Sequence, residues 1–278
     1  MHDHILMYLF YGLVAGFSEL TPVSASAHRV LFPTLFGFDS TRPLLQLFVH
    51  GGVLGALFWL YWQRLSHIYR EMQMLKLRPS RRKRPPDTGA LMDGRLVQTA
   101  LAPALVGVVL SAFVGKGGFG LLSMAILLIL GGIAIYLPDY RPGGDRQTGS
   151  MSRLDGLLLG FCTVLGVLPG LSRVGLMLSL GLLRKCDRSY LLDMVMLISV
   201  PVLAGMMAVD FLSIFFAGFA GYSAKYLLGC LLAGAASFGG GIAAIFMMRF
   251  LAVKTGFSGF AYYGWGLGLF SFILYLMV

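Results

Sequence analysis

The residues best equipped for chemistry lie in two short stretches. In "FSELTPVSASAHRV", residues 17 to 30, the carboxylate of Glu19, the hydroxyls of Ser24 and Ser26 and the imidazole of His28 follow one another closely. In "LPGLSRVG", residues 168 to 175, Gly170, Ser172 and Arg173 stand together. Glu19 and His28 are the acid-base candidates. Ser24 and Ser26 offer hydroxyls for hydrogen bonding or nucleophilic attack; attack needs an adjacent base, for which His28 is at hand. Arg173 is a permanent cation with a fork of donors suited to phosphate. Helices interrupted by Pro and Gly leave backbone N–H groups free to bind anions, which adds Gly170 and Ser172 as phosphate-binding candidates. Plainer readings stand beside these: Glu19 as a structural partner of Arg29 or Arg173, Ser24 and Ser26 as helix caps, and His28 as an interfacial residue.

The elements that must position these groups belong to a membrane protein. Of the 278 residues, 57% are hydrophobic and 12% charged, and the mean hydropathy is +0.79; a soluble domain carries about a quarter charged residues. Uncharged apolar runs at Pro43 to Gln63, Val97 to Gly115, Gly117 to Pro138, Tyr226 to Met248 and Thr255 to Val278 are each long enough to cross about 30 Å of hydrocarbon as a helix. Met194 to Val209 is a shorter sixth, extendable past Asp210 to Phe216. Ile5 to Ser18 and Gly156 to Leu171 are apolar but short, and each ends in Pro and Ser. They are predicted to enter the membrane without crossing it. The expected fold is therefore an all-α integral membrane protein forming one polytopic domain over 1–278, with about six transmembrane helices and two re-entrant helix hairpins.

Ser24-Ala25-Ser26-Ala27 imitates a signal-peptidase site, but "MHDHILMYLF" carries Asp3 and no Lys or Arg before the apolar stretch, so a cleaved leader is not expected. The polar groups then remain at membrane depth, where ionisable residues are expensive and usually functional. His50, inside "LFVHGGVLG", is not needed for spanning and is expected to face the same cavity. The net charge of +10 is concentrated: nine Lys and Arg lie between Arg64 and Arg95 against Glu71, Asp87 and Asp93, including "RPSRRKRPP" at 78 to 86. Between two spans this reads as a cytoplasmic loop, 64–95, attracted to anionic lipid headgroups, and not as a nucleic-acid patch. Cys162, Cys186 and Cys230 have no C-x-x-C spacing and are expected to be buried free thiols. The glycines at 51 to 52, 131 to 132 and 239 to 241 are expected at close helix contacts.

The chain also resembles itself. "GLVAGF", residues 12 to 17, recurs as "GLLLGF", residues 156 to 161. Each copy leads to a Pro and then a Ser, Pro22-Val23-Ser24 in one case and Pro169-Gly170-Leu171-Ser172 in the other, and each is followed by a long span. Broken segments at matching places in two halves point to an inverted repeat whose site lies where the halves meet. Repeat one is placed at about 1–137 and repeat two at about 152–278.

The order "GLVAGFSELTPVSASAH" followed by "LPGLSRVG" resembles the undecaprenyl pyrophosphate phosphatase family, the bacitracin-resistance proteins, whose signatures run roughly E-G-x-x-E-x-x-P-V-S-S-x-x-H and P-G-x-S-R-S-G. The resemblance extends through the "FWLYWQRL" end of the next span and the basic loop after it. It implies six spans plus two re-entrant hairpins, often in a homodimer, in the bacterial plasma (inner) membrane. It also implies a hydrolase with its site facing outside, which releases phosphate from the polyprenyl pyrophosphate lipid and so recycles the carrier for peptidoglycan synthesis and cell wall biogenesis. A divalent cation, Mg2+ or Ca2+, is implied as cofactor, with Glu19 the ligand offered to the metal. Glu19, Ser24, His28, Ser172 and Arg173 match motif positions. Ala15 replaces the first motif glutamate, Ala25 the second serine of P-V-S-S and Val174 the second serine of S-R-S-G. Gln46 takes the place of a family glutamate in the next span, near His50, and both are cavity candidates. Losing a carboxylate weakens a hard-cation site, and losing the motif serine's hydroxyl at position 25 removes a covalent route. Two functions follow: a phosphatase in which Ser26 or Ser24 assists or Glu19 and His28 activate water, or a non-catalytic homologue that binds or translocates polyprenyl phosphate or a related anionic lipid.

Overall fold

The computed structural model describes residues 5–78, 80, 84–114, 120–140, 144–218 and 222–277. Asp3, Arg81 to Lys83 of the basic run, the start of the Gly117 run and Val278 lie outside them. The described residues form α1 (Ile5–Glu19), α2 (Ala25–Phe36), α3 (Pro43–Met74), α4 (Thr88–Val114), α5 (Leu121–Asp139), α6 (Arg153–Leu165), α7 (Arg173–Leu183), α8 (Arg188–Ala217), α9 (Ala224–Lys254) and α10 (Gly259–Met277). Six of these, α3, α4, α5, α8, α9 and α10, are long and apolar enough to cross a membrane, so the chain is a multi-pass membrane protein. Their outward faces carry residues such as Leu105, Val109, Phe113, Phe246 and Phe250, as lipid demands of helices that satisfy their own backbone bonds. All three cysteines are free and buried.

The short helices stop where the sequence breaks them. Thr21-Pro22 follows α1, and Ser24 then caps α2 by accepting the Ala27 N–H. Ser152 caps α6 in a reciprocal box with Asp155, and Ser172 caps α7 by accepting the Gly175 N–H. The order α1 to α5 recurs as α6 to α10, a short pair followed by three spans, and the halves interlock: α1 packs on α9 and α6 on α4. A Cβ on Gly12 or Gly16 would come 2.2 Å from the carbonyl oxygen of Ala233 or Ser237. One on Gly160 would meet the Ala100 oxygen at 2.2 Å, and one on Gly156 the Thr99 hydroxyl at 2.0 Å. The repeated "GLVAGF" and "GLLLGF" glycines are thus the seats on which each short helix touches the backbone of a span.

The basic segment differs from its expected form. α3 continues to Met74 and α4 begins at Thr88, so most of 64–95 is helix and the connection is short. Arg64 is no free loop charge; it bridges Asp93 on α4 and Asp193 on α8. Arg84 pairs with the buried Glu71. A second ion cluster fixes the start of α6, where Asp155 accepts from the Ser152 N–H at 2.7 Å, from Arg146 at 2.9 Å and from Arg184 at 2.6 Å. Burial alone would raise the Asp155 carboxyl, but these donors hold it well below the ordinary carboxylate range. Asp155→Asn is expected to lower thermal stability in detergent by about 2 kcal/mol, both guanidiniums being partly screened by solvent. Because the folded carboxyl is depressed, its contribution is complete above about pH 4 and fades as pH falls toward the folded value. A melting curve of the variant against pH checks both expectations.

Candidate active site

The two short-helix pairs meet tip to tip. Ser24 Oγ accepts the Gly170 N–H at 3.1 Å, and Ser172 donates to the Thr21 carbonyl at 3.1 Å, so each cap also holds the other hairpin. Between the tips lies a cavity of about 110 Å³. Glu19 of α1, Ser26 and Arg29 of α2, Thr163 of α6, and Ser172 and Arg173 at the start of α7 supply its polar wall. Both α2 and α7 present their N-termini to it. The caps take only the third N–H of each helix, so the first two, at Ala25 and Ser26 and at Arg173 and Val174, have no intrahelical acceptor and point their dipoles at the cavity.

Charge is concentrated on one carboxylate. Arg173 Nη2 is 3.5 Å from Glu19 Oε2, while Arg29 Nη2 and His50 Nε2 stand 3.9 and 3.8 Å from Oε1. Among the described residues, Arg29 Nε, Arg173 Nη1 and Thr163 Oγ1 are buried without a hydrogen-bond partner. A ligand rich in acceptor oxygens would satisfy all three, because an orphaned buried donor is costly. A phosphate is such a ligand.

The hydroxyls divide their work. Ser24 Oγ accepts from both Ala27 and Gly170 N–H, so its proton goes to Ser26 Oγ at 3.0 Å. Ser26, which lines the cavity, keeps its own O–H for a ligand. Ser24→Ala is expected to destabilise the protein by about 2 kcal/mol, since one cap and one hairpin contact go together; thermal unfolding in detergent measures it.

Five residues grouped with the site do not line the cavity: Ser24 and Gly170 bond each other between the tips, which occupies the Gly170 N–H expected for phosphate, and three more lie elsewhere. His28 does not face Glu19 or Ser26: Nδ1 donates to the Ser24 carbonyl at 2.8 Å, and Nε2 is 2.6 Å from the Tyr263 hydroxyl. It lines a second, apolar cavity of about 500 Å³ with Leu13, Phe17, Phe260 and Tyr263. Gln46 lines neither cavity, its amide donating to Tyr11 Oη and the Ser40 carbonyl. His50 sits behind Glu19, outside the cavity wall, with Nδ1 2.7 Å from Asp210 Oδ2.

The implied divalent cation does not fit these residues. Among the described residues Glu19 is the one carboxylate lining the cavity, and both of its oxygens already face guanidiniums. Among the described residues no group of three or more His, Cys, Asp or Glu could hold a metal ion. An added cation would also stand against Arg29 and Arg173, and two unit charges about 4 Å apart interact by about 4 kcal/mol at an effective dielectric near 20.

Over residues 8–270 the chain matches the family model of bacitracin resistance protein BacA. The chain belongs to the BacA family. Among its relatives, the undecaprenyl-diphosphatase of Thermodesulfovibrio yellowstonii is 27% identical over 276 residues, 98% of each chain. That of Neisseria meningitidis serogroup C is 26% identical over 278 residues, 98% of this chain and 96% of its own. The Desulforudis audaxviator protein of the same name is 30% identical over 201 residues, 70% of this chain and 71% of its own. Within this BacA-family chain Ala25 and Val174, two of the positions that depart from the motifs, line the cavity, whereas Ala15 does not. Sequence reasoning missed Thr163, Asp210 and Tyr263 and took Arg29 only as a structural partner. Asp210, a charge inside a spanning run, was the one with a visible signal.

Proposed function

We propose that the chain is an undecaprenyl (polyprenyl) pyrophosphate phosphatase of the bacterial plasma membrane, its cavity opening to the outer face, which recycles carrier lipid for peptidoglycan synthesis. One observation carries the reading: two helix N-termini and the side chains of Arg29, Arg173 and Thr163, each with a buried polar atom that has no hydrogen-bond partner, line one small cavity. That cavity shares Ser18 and Val23 with the large apolar one. A pyrophosphate on an isoprenoid tail has this two-part shape.

The terminal phosphate lies among Arg29, Arg173 and the N–H groups of α2 and α7, with Ser26 and Thr163 donating to its oxygens. The tail lies along Phe17, Phe260 and Tyr263. As the guanidiniums turn from Glu19 to the phosphate, Glu19 is released to act as base. Water attacks the terminal phosphorus, its proton passing to Glu19. The new P–O bond forms as the bridging P–O bond breaks, and inorganic phosphate and polyprenyl phosphate leave. Arg173 and Arg29 take up the charge that develops on the leaving oxygen, a preorganised electrostatic stabilisation. Direct attack by water suits a site in which Ala25 has no hydroxyl and Ser24 is engaged as a cap.

The test is phosphate release from undecaprenyl pyrophosphate by the purified protein. Release by the wild type that disappears in Glu19→Gln supports the reading. Binding of the lipid with no release contradicts it and favours a homologue that binds or translocates the lipid.

A further inference from the structure

Between the start of α8 and the end of α9 lies another cavity, of about 280 Å³, lined by Ser189, Leu192 and Asp193 of α8 and by Arg249, Ala252 and Val253 of α9. None of these residues lines the polar cavity or the apolar one beside it. Arg249 directly follows the uncharged run Tyr226 to Met248, so its guanidinium stands where hydrocarbon gives way to headgroups. It lies over the Tyr61 ring, 4.8 Å from the centroid, and among the described residues no carboxylate pairs with it. Asp193 accepts from the Tyr61 hydroxyl at 2.9 Å through one oxygen and from Arg64 through the other. Its side chain is still 30% exposed, and a carboxylate has lone pairs for further donors. Next to the cavity Phe246, Phe250 and Val253 form one outward stripe of α9. The stripe runs from the helix end toward the membrane interior, the direction that acyl chains take from a headgroup.

We infer that this cavity holds the headgroup of one phospholipid of the phosphatidylethanolamine type, its phosphate on Arg249 and Ser189, its primary ammonium on Asp193 and a chain along Phe250 and Phe246. The lining offers one guanidinium, one hydroxyl and one carboxylate, which a zwitterion with N–H donors satisfies at both ends. A glycerol headgroup brings no cation to Asp193, and a choline headgroup has no N–H to give it. Ser189 stands in the first turn of α8, just after the Asp187 cap, where the helix dipole favours phosphate. Arg64, Arg188 and Lys254 lie at the same end of the bundle, which the positive-inside rule assigns to the cytoplasmic leaflet. Bound there, the lipid ties α8 to α9 and stabilises the fold by linkage. The inference does not depend on the phosphatase reading.

The experiment uses the full chain, purified in detergent and stripped of lipid. Native mass spectrometry counts bound lipids, and thermal unfolding reads their effect. Dioleoyl phosphatidylethanolamine, phosphatidylcholine and phosphatidylglycerol are titrated in turn, with soluble phosphoethanolamine beside them. The expected result is one tightly held ethanolamine lipid per chain that raises the melting temperature, weaker binding of the other two lipids and no shift from the free headgroup. Arg249→Gln lowers the affinity for the ethanolamine lipid by about tenfold, as loss of a charge-assisted hydrogen bond predicts, and Ser189→Ala lowers it by about threefold. Should Arg249→Gln not fold without its contact to Tyr61, Ser189→Ala, at an exposed position, carries the comparison. Phosphatidylcholine or phosphatidylglycerol bound as tightly as the ethanolamine lipid overturns the inference. So does an affinity that the folded variants leave unchanged, or a free headgroup that shifts melting as far as the lipid does.

Discussion

Arg173→Ala lowers kcat/KM for phosphate release from undecaprenyl pyrophosphate by about a thousandfold, the effect of removing one preorganised donor from a buried anion. Arg173 opens α7 directly after its cap, so its backbone N–H and its guanidinium reach the same cavity. One terminal nitrogen leans on Glu19 at 3.5 Å, and the other is buried with no partner. Truncation removes the donor that waits for phosphate and leaves Glu19 with less opposing charge. Arg173→Lys keeps the charge but loses the planar fork, so its activity falls between wild type and Ala. The cap itself stays, because Ser172 still accepts the Gly175 N–H and donates to Thr21. Steady-state release assays on variants shown to be folded by their melting curves give the ratio, and a change in melting without a change in kcat/KM contradicts the role.

Gly16→Leu abolishes the folded protein, with a loss of about 4 kcal/mol or more from overpacking at a backbone contact. The first side-chain carbon at this position falls 2.2 Å from the Ser237 carbonyl oxygen on α9, and neither backbone can withdraw without unseating α1. The loss extends to the site, since α1 carries Glu19 and leads into the tip that holds Ser24 against Gly170. Gly239→Ala is the matched control: a Cβ there meets nothing within 4 Å, and the variant is expected to purify and melt like wild type. Size-exclusion profiles and thermal unfolding in detergent separate the two.

The spans were visible in the sequence because lipid imposes length and apolarity on every residue of a run, and the broken segments because Pro22 and Pro169 interrupt theirs. The repeated glycines were visible as a pattern, but not what they touch, since α9 and α4 lie far along the chain. His28 was grouped with Ser24 and Ser26 by proximity. Four residues along a helix, however, its Nδ1 reaches the Ser24 carbonyl, and the ring turns to Tyr263 and the apolar cavity. Arg29 read as a neutralising partner because its neighbours in sequence gave it no other task; its place in the cavity wall depends on α1 and α7 arriving together. Thr163 and Asp210 enter through packing between halves. The 64–95 segment read as loop because its charges hide the continuation of α3 and α4, which ion pairs to Asp193 and Glu71 sustain.

Cleavage of the terminal phosphate in the cavity between the hairpin tips can be watched directly. Phosphorus NMR of purified protein with undecaprenyl pyrophosphate follows both phosphorus atoms at once. The account predicts that the two pyrophosphate resonances give way to one of inorganic phosphate and one of polyprenyl phosphate in equal amounts, and that both products fail to appear with Arg173→Ala. Persistence of the two pyrophosphate resonances with the folded wild type, in EDTA and in Mg2+ alike, would contradict it.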